Sequence, residues 1–427
     1  MTSLNAELVT IEKPVYGGSC LSRLNGKTIF VPLTLPGEQA RIRIVQDKRS
    51  FATAEAVELA SPSPLRVAPE CPHFGACGGC DYQHAGYAIQ LAWKDAILRE
   101  TLERAGLPVP QTIAVLSGDP WRYRNRIRLA IDAHGNLGYR GRRSHAIVPI
   151  AECPIAAPLL LRAAAALQDE LRSRKPSLAA SELTLFCNAE ETAVLASLLT
   201  QQLSKLNVNN LAQNLKARVP ELCGVDLLAP ARDRRTTQQI AHWGEPSLTY
   251  RAAGLEYRVD QGAFFQVNRW LVDSLVDCVT AGDSGALAWD LFAGVGLFAR
   301  QLASRFDRVV AIESAPASIA ALRHNLEGTN SVAVPADTLT FLRRNEQAGR
   351  PDHIVVDPPR TGLGTEVTAL LSAIAAPALV YVSCDPTTLA RDLKSLLAGG
   401  YRILSITLVD LFPQTFHLET VVHLRRA

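Results

Sequence analysis

The second half of the chain contains apolar runs that each end at a polar or reactive residue. RVVAIE ends at Glu313, SVAVPAD at Asp337, HIVVD at Asp357 and LVYVSC at Cys384. Helix-like segments separate these runs, so from about residue 255 the pattern predicts a doubly wound α/β domain. In open parallel sheets, ligands bind outside the carboxyl ends of the strands. We therefore expect these four side chains to converge on one crevice.

A glycine turn follows the first strand of this series, ALAW. Gly294 and Gly296 have no side chain, so the backbone at this turn can approach a ligand closely. The spacing Gly294-x-Gly296-x-x-Ala299 also fits the dinucleotide fingerprint, with Glu313 near the distance at which a carboxylate meets a ribose hydroxyl. On these residues alone, a nicotinamide-dependent oxidoreductase stays open as an alternative.

The loop after the HIVV strand is stiff and carries a carboxylate. In Asp357-Pro358-Pro359-Arg360, two prolines fix φ and remove two backbone donors, so we expect a rigid edge of a binding site. The strand ends, the glycine turn and this loop resemble those of the class I S-adenosylmethionine (SAM) methyltransferases. In members that methylate amino groups, an aromatic residue usually ends this motif. Arg360 stands there in this chain, which favours another acceptor atom.

Five motifs in order resemble those of the RNA 5-methyluridine methyltransferases: QGAFFQVN from Gln261 to Asn268, DLFAGVG, DPPRTG, VSCDP and HLETV. The resemblance extends over nearly the whole chain. It implies that the cysteine of VSCDP, Cys384, is the nucleophile and that the glutamate of HLETV, Glu419, is the general base. The SAM contacts that it implies are Gln266, Phe292, Glu313, Asp337 and Asp357.

Methylation at C5 of uracil explains why a cysteine and a carboxylate would occur together. C5 is a poor nucleophile, and addition of a thiolate at C6 gives C5 the carbanion character needed to take a methyl group. A carboxylate within about 2.6–3.2 Å of the C5 proton can then remove that proton. Simpler interpretations are Cys384 as a buried thiol and Glu419 on one face of a strand that begins near Thr415. Glu313 and Asp337 would then cap the helices that follow them.

Three of the nine cysteines lie within ten residues. The spacing Cys71-x5-Cys77-x2-Cys80, among glycines, predicts a compact loop, and Cys153 in ECPIAAP offers a fourth thiolate. Four thiolates suit either tetrahedral zinc or an iron–sulfur cluster, and the spacing does not decide between them. The string CPHFGACGGCDYQ resembles the iron–sulfur branch of the same family, which implies a 4Fe-4S cluster with a structural or RNA-contacting role.

A basic stretch between Trp121 and Arg143 has seven arginines and one acid. Arginines in a row on one strand face neutralise phosphates, although charge also protects edge strands. The candidate RNA contacts on one face of the run RYRNRIR are Arg122, Arg124, Arg126 and Arg128. The family pattern implies that Phe264 stacks on the target base, which must be unstacked or flipped to react.

Three predicted domains follow from these patterns. Residues 1–62 contain short strands with Gly-Gly and Pro-Gly turns, which predict a small β-barrel resembling the TRAM domain, an OB-like fold. Residues 63–254 form an α+β central domain with the cluster loop and the RNA-binding surface. Residues 255–427 form the class I SAM methyltransferase domain, a doubly wound sheet with a terminal antiparallel hairpin.

Composition restricts the partners of this chain. A net charge of +3 predicts that RNA affinity comes from a local patch. The uncharged run 367–384 fits a core helix and strand better than a membrane span, because Pro377 interrupts it. With no secretory signal at its start, we expect a cytoplasmic monomer without a membrane partner. We therefore expect a methyltransferase that acts on ribosomal RNA. The alternatives are a methyltransferase that acts on tRNA, the nicotinamide-dependent oxidoreductase and an RNA-binding module without catalytic activity.

Overall fold

The N-terminal strands close into a barrel, as the sequence predicts. The computed structural model describes residues 6–173, 180–200, 207–231, 236–347 and 349–426. The barrel strands are β1 (Glu7–Val15), β2 (Ser19–Leu24), β3 (Lys27–Pro32), β4 (Gln39–Asp47) and β5 (Phe51–Ser61), hydrogen-bonded in the order β1-β2-β3-β5-β4. Gly17 and Gly18 make the first hairpin turn at φ values of 102° and 81°, which L-residues with side chains rarely adopt. Ile11, Ile29 and Val31 fill the interior.

A seven-stranded sheet forms the middle of the molecule. Its helices and strands, with the two elements that precede it, are α1 (Tyr87–Arg104), β6 (Ala114–Leu116), β7 (Arg126–Ile131), β8 (Leu137–Arg140), β9 (Ile147–Pro149), α2 (Pro158–Ser173), β10 (Ala180–Cys187), β11 (Val194–Thr200), α3 (Val208–Arg218), β12 (Leu222–Pro230) and β13 (Thr237–Gly244). The strand order is β13-β12-β11-β10-β7-β8-β9. α2 and α3 cover one face, where Leu160 and Leu211 are buried with Ile127, Leu183 and Leu198 of the sheet.

The C-terminal region contains a small hairpin and an eight-stranded sheet with helices on both faces. Its elements are β14 (Ser247–Ala252), β15 (Leu255–Asp260), α4 (Val272–Thr280), β16 (Gly285–Asp290), α5 (Leu297–Leu302), β17 (Phe306–Glu313), α6 (Pro316–Asn325), β18 (Ser331–Pro335), α7 (Thr338–Asn345), β19 (His353–Val356), α8 (Gly364–Ile374), β20 (Ala378–Ser383), α9 (Pro386–Ala398), β21 (Tyr401–Val409) and β22 (Glu419–Arg426). The large sheet runs β18-β17-β16-β19-β20-β22-β21-β6, with β22 antiparallel to both neighbours. The predicted doubly wound sheet with a terminal antiparallel hairpin is confirmed.

Two elements from the predicted central domain pack against this C-terminal sheet. β6 pairs in parallel with β21, and Leu98 and Leu102 of α1 share a hydrophobic core with Tyr381 and Leu389. The predicted domain boundaries stay predictions. The uncharged run 367–384 contains helix α8 and strand β20, and no helix in the described ranges is long and apolar enough to span a membrane.

Candidate active site

A cavity lies at the carboxyl ends of β16 and β19. Three of the predicted SAM contacts line it: Gln266, Phe292 and Asp357. Gly294 of the glycine turn lines the same cavity at φ 55°. Phe264, the predicted stacking residue, also lines it and is 60% exposed, whereas its neighbour Phe265 is only 2% exposed. A cavity with an exposed aromatic ring beside it is therefore present at this edge of the sheet. Of the four strand-end side chains expected to converge there, only Asp357 lines it.

The other two predicted SAM contacts hold the backbone around the cavity in different ways. The Glu313 carboxylate accepts hydrogen bonds from the backbone N–H groups of Gly294 (2.8 Å), Ser314 (2.7 Å) and Ala315 (2.6 Å), which ties β17 to the glycine turn. Asp337 is exposed and caps α7 by accepting from the N–H of Thr340 at 2.9 Å. Contact of either carboxylate with SAM stays a prediction. The hydrogen bond of Asp337 is the one expected from the simpler interpretation, in which this residue caps the following helix.

Asp290 is a buried carboxylate that our sequence reasoning missed. It ends β16, and its Oδ2 accepts a hydrogen bond from the N–H of Ala299 at 3.0 Å. Burial, and then the neighbouring Asp357, raise its pKa to about 7. Asp290 is the first letter of the DLFAGVG motif, so the rule that each strand ends at a polar residue would have found it.

Cys384 and Glu419 lie side by side at one end of a strand pair. In the antiparallel ladder between β20 and β22, Ser383 pairs with Thr420, so Cys384 and Glu419 occupy the next position beyond it. Cys384 is half-buried, and Glu419 is 5% exposed. The structure thus brings together two predicted catalytic residues that are 35 positions apart in the sequence.

Burial and nearby carboxylates shift the pKa of both groups towards their neutral forms. Burial, then Glu419 and Asp357, raise the pKa of Cys384 to about 12. Burial and then Asp357 raise the pKa of Glu419 well above its ordinary value. Arg360 lowers the pKa of both groups, although not enough to reverse the effect of burial. Arg360 is therefore a cation near the thiol whose charge favours the thiolate.

The loop that leads to Glu419, residues 410–418, is anchored by α1. The Lys94 ammonium lies 2.6 Å from Asp410 Oδ1, and both side chains have no exposed surface. The Tyr87 hydroxyl donates to Asp410 Oδ2 at 2.8 Å. The Gln90 side chain donates to the Gln414 side chain at 2.9 Å and accepts from its backbone N–H at 3.0 Å. These contacts hold a loop where the sequence predicts a strand from near Thr415, and that prediction is wrong.

Replacing Lys94 with methionine should destabilise the protein strongly, because Asp410 would be left buried and uncompensated. We expect the free energy of unfolding to fall by about 3–5 kcal/mol, as measured from the chemical denaturation curve of the protein. Lys13→Met is the matched control: the Lys13–Glu100 pair has side-chain exposures of 40% and 31%, and such surface pairs are worth about 0–1 kcal/mol. Equal effects in the two variants would contradict this interpretation.

The barrel also reaches the loop that carries Cys384. The Tyr16 hydroxyl, just beyond β1, donates to Asp385 Oδ2 at 3.3 Å and lies 3.5 Å from the carbonyl oxygen of Cys384. Its ring packs edge-on against Phe416, with centroids 5.5 Å apart. Asp385 in turn caps α9 by accepting from the N–H groups of Thr387 and Thr388. The barrel therefore supports the loops of both candidate catalytic residues.

The four clustered cysteines line one cavity in the middle of the molecule. Cys71, Cys77, Cys80 and Cys153 surround it together with Arg124. The four cysteines are free thiols, and the N–H of Gly79 donates to Cys77 Sγ at 3.3 Å. Within the residues that the structure describes, no group of three or more His, Cys, Asp or Glu side chains is arranged to hold a metal ion. The four thiols therefore line the same cavity, but they are not arranged to coordinate a single metal ion.

The four candidate RNA-binding arginines are not equivalent. Along the run RYRNRIR the arginines are more exposed than the residues between them. Arg122, however, precedes β7 and has a left-handed φ of 51°, so it lies outside the extended strand. Arg124 and Arg126 are half-buried, and Arg128 is exposed and 2.5 Å from Glu182. A continuous arginine row facing solvent is therefore absent from this described segment, and RNA contact by each residue stays a prediction.

Comparison with known proteins shows which family this chain belongs to. The chain matches the family model described as tRNA (Uracil-5-)-methyltransferase over residues 86–343 and 347–427, and the TRAM domain model over residues 7–57. These matches, together with similar proteins of known sequence and structure, confirm the enzyme class and the fold that the sequence predicts.

Two curated relatives align over nearly the full chain. The protein named "Uncharacterized RNA methyltransferase SCO5901" from Streptomyces coelicolor is 34% identical, covering 98% of this chain and 92% of its own. The 23S rRNA (uracil(1939)-C(5))-methyltransferase RlmD of Pectobacterium carotovorum is 34% identical, covering 95% and 90%. Among solved structures, the tRNA (uracil-54, C5)-methyltransferase of Pyrococcus abyssi, in complex with S-adenosyl-L-homocysteine, aligns with a TM-score of 0.77 and 25% identity over 98% of this chain and 100% of that one. The chain therefore belongs to the tRNA (uracil-5-)-methyltransferase family of SAM-dependent RNA uracil-C5 methyltransferases and carries a TRAM domain at its N-terminal end.

Proposed function

We propose that this enzyme methylates C5 of a uridine in 23S ribosomal RNA through a covalent adduct between Cys384 and C6 of the base. The observation that carries the proposal is the placement of Cys384 beside Glu419, at the end of the β20–β22 ladder. The relatives named RlmD support ribosomal RNA as the substrate. The Pyrococcus tRNA enzyme supports transfer RNA as the second candidate.

The residues around the cavity fit a bound methyl donor. SAM supplies an electrophilic methyl group when bound, and Gln266, Phe292 and Asp357 would hold it, with Glu313 behind the glycine turn. Phe264, exposed at the same cavity, offers a ring on which a flipped uracil stacks. The target base would then lie between the methyl donor and the Cys384–Glu419 pair.

In the proposed reaction Cys384 forms a temporary bond to the base, and Glu419 removes one proton from it. Cys384 loses its proton to solvent, and its sulfur adds to C6 while the C5–C6 π electrons move towards C5 and O4 as an enolate. C5 would take the methyl group of the sulfonium donor, whose bond from sulfur to that methyl would break and leave its electron pair on the sulfur. C5 would then bear both the methyl group and its original proton. The Glu419 carboxylate removes that proton, the C5–C6 double bond re-forms, and the C6–S bond breaks to release the thiolate. Arg360 favours the anionic forms that Cys384 and Glu419 need at these steps.

Methylation of isolated RNA tests the proposal directly. The enzyme is incubated with radiolabelled SAM and with ribosomal or transfer RNA from a strain that lacks the corresponding gene. We expect label in 5-methyluridine at one position of 23S ribosomal RNA and little in transfer RNA. Label confined to transfer RNA would overturn the assignment of the substrate, and label at a base other than 5-methyluridine would overturn the reaction.

Replacing Arg360 with glutamine should raise the pKa of Cys384 further, because a cation that favours the thiolate is removed. With a thiol pKa of about 12, the reactive thiolate increases with pH, so kcat/KM should rise across roughly pH 6–9 in the wild type. Arg360→Gln should lower kcat/KM over this range by about tenfold for each unit of added pKa. Arg360→Lys keeps the charge and should recover most of the loss. Coinciding pH profiles for all three proteins would refute this role.

We also propose that the four thiols hold a 4Fe-4S cluster, in a structural role that no reaction step uses. Four thiolate ligands and a backbone N–H directed at Cys77 suit such a cluster. Protein purified without oxygen should contain about four iron and four sulfide per chain, with little zinc. Cys153→Ser should reduce both contents, and Cys278→Ser, outside the cavity, should leave them unchanged. Stoichiometric zinc without sulfide would refute the cluster.

A further inference from the structure

The seven-stranded sheet has a cleft on the face opposite α2 and α3. Side chains alternate between the two faces of a strand, so Arg126, Arg128, Thr184 and Ser197 point away from the helix-covered core and line this cleft. Its volume is about 510 Å³. That volume lies within the range of about 300–1,000 Å³ typical of ligand pockets. The family assignment gives this cleft no role.

One wall of the cleft is an arginine supported by an aromatic ring. The Arg126 guanidinium carbon lies 4.2 Å from the centre of the Phe186 ring, and its Nη1 donates to the carbonyl oxygen of Ala263 at 2.7 Å. In the described ranges of the chain, no carboxylate lies within ion-pair distance of Arg126. The guanidinium is therefore held in a fixed place with its positive charge uncompensated.

Polar groups on the neighbouring strands surround this arginine. Arg128 lies 2.5 Å from Glu182 and is otherwise exposed. The Gln261 amide nitrogen donates to Ser197 Oγ at 2.6 Å, and the Gln261 amide oxygen has no hydrogen-bond partner within the described part of the molecule. The cleft thus combines a planar cation without an ion-pair partner among the described residues and an exposed cation paired with Glu182, and arginines contact the base and the phosphate of a nucleotide.

The cleft and the cofactor cavity share one short segment. Gln261, Gly262 and Val267 line the cleft, and Phe264 and Gln266 line the cavity beside the Cys384 loop. Phe264 is two positions beyond Gly262, a distance of at most about 7 Å along the chain. A nucleotide in the cleft would therefore lie next to a uridine in the active site.

We propose that this cleft binds an unstacked nucleotide that flanks the target uridine in the substrate RNA. Its base stacks on the Arg126 guanidinium, which Phe186 supports from the other side, and its phosphate lies near Arg128. The inference rests on the proposed function, since flipping the target breaks the stacking of its neighbours. It replaces the arginine row predicted from the sequence with a pocket for a single nucleotide.

Charge reversal at two matched arginines tests the cleft. Arg128→Glu changes an exposed arginine in the cleft, and Arg162→Glu changes an exposed arginine on the helix-covered side; each is paired with one glutamate. We expect Arg128→Glu to raise the KM for ribosomal RNA at least about tenfold, with kcat and the KM for SAM unchanged. Arg162→Glu should leave all three values unchanged. Equal changes in the two variants would overturn the proposal.

Base removal shows whether a single nucleotide occupies the cleft. The probe is the RNA fragment that the enzyme protects from nuclease, synthesised with one abasic nucleotide at successive positions, and its Kd is measured without turnover. At one position near the target, base removal should weaken binding to wild type about tenfold but leave binding to Arg126→Gln unchanged. Thermal unfolding shows whether Arg126→Gln is folded. If Arg126→Gln is unstable, Arg128→Glu tests the cleft independently, because Arg128 is exposed.

The two proposals fail in different ways. Coupling between the base and Arg126 without formation of 5-methyluridine would refute the proposed function and support the cleft. Formation of 5-methyluridine with no coupled position and no effect of Arg128→Glu would refute the cleft and leave the proposed function in place. Coupling to a position distant from the methylated uridine would refute the placement of the nucleotide beside the target.

Discussion

Cys384→Ala should lose methyl transfer by at least about 10,000-fold, because the variant lacks the sulfur that activates C5. The loss should appear in kcat, while SAM binding is kept, since Cys384 is not among the residues that line the SAM cavity. The covalent adduct between protein and RNA should disappear at the same time. Tritium incorporation measures the first effect, and a denaturing gel with labelled RNA measures the second.

A cysteine outside the site provides the control for this variant. Cys223 is half-buried at the start of β12, and Cys223→Ala should keep normal activity and adduct formation. Cys384 is also only half-buried, so its replacement by alanine should change the unfolding temperature little. Methyl transfer by Cys384→Ala at a rate near wild type would eliminate the covalent mechanism and with it the main part of the proposed function.

Glu419→Gln should trap the methylated RNA on the enzyme. Glutamine has nearly the same shape but cannot accept the C5 proton, so the step after methyl transfer should slow about 100- to 10,000-fold. Burial already favours the neutral form of Glu419, and neutral glutamine should therefore be tolerated in the fold. We expect one round of methyl transfer followed by a stable adduct that carries the methyl group, detected by mass spectrometry of the linked peptide.

Glu366→Gln is the matched control for this variant, since Glu366 is an exposed carboxylate on α8 that pairs with Arg343. It should turn over normally and accumulate no adduct. The step at which Glu419→Gln stops is informative. If the variant fails before methyl transfer, Glu419 acts on nucleophile formation; if it releases product at the normal rate, another group removes the C5 proton, and the assignment of Glu419 is wrong.

Several features of the site could be predicted from short stretches of sequence. The alternation of strands and helices is a local pattern, and strand ends in a parallel sheet meet at one edge, so the region of Asp357 and Cys384 followed from the order of apolar runs. The same rule selects Asp337, which follows β18 and caps the start of α7 by accepting from the N–H of Thr340. A strand end places a residue at the correct edge without deciding where its side chain points.

The approach to Glu419 shows a second limit of local patterns. QTFHLET alternates as a strand does, yet β22 begins only at Glu419. Pro413 cannot donate to a ladder, and Gln414 adopts a left-handed φ of 67°, so the backbone turns before the strand. The Gln90 side chain and the backbone N–H groups of Asp81 and Tyr82 satisfy Gln414 in this position.

The amino-acid order alone predicted the barrel, the α/β sheet and the candidate reactive groups, because each depends on periodicity or on motifs within a few residues. Folding in three dimensions decided the pairing of Lys94 with Asp410, the reach of Tyr16 to the Cys384 loop and the support of Arg126 by Phe186. These contacts join residues 316, 369 and 60 positions apart. No local pattern encodes such partners, because burial and charge compensation are properties of the packed molecule.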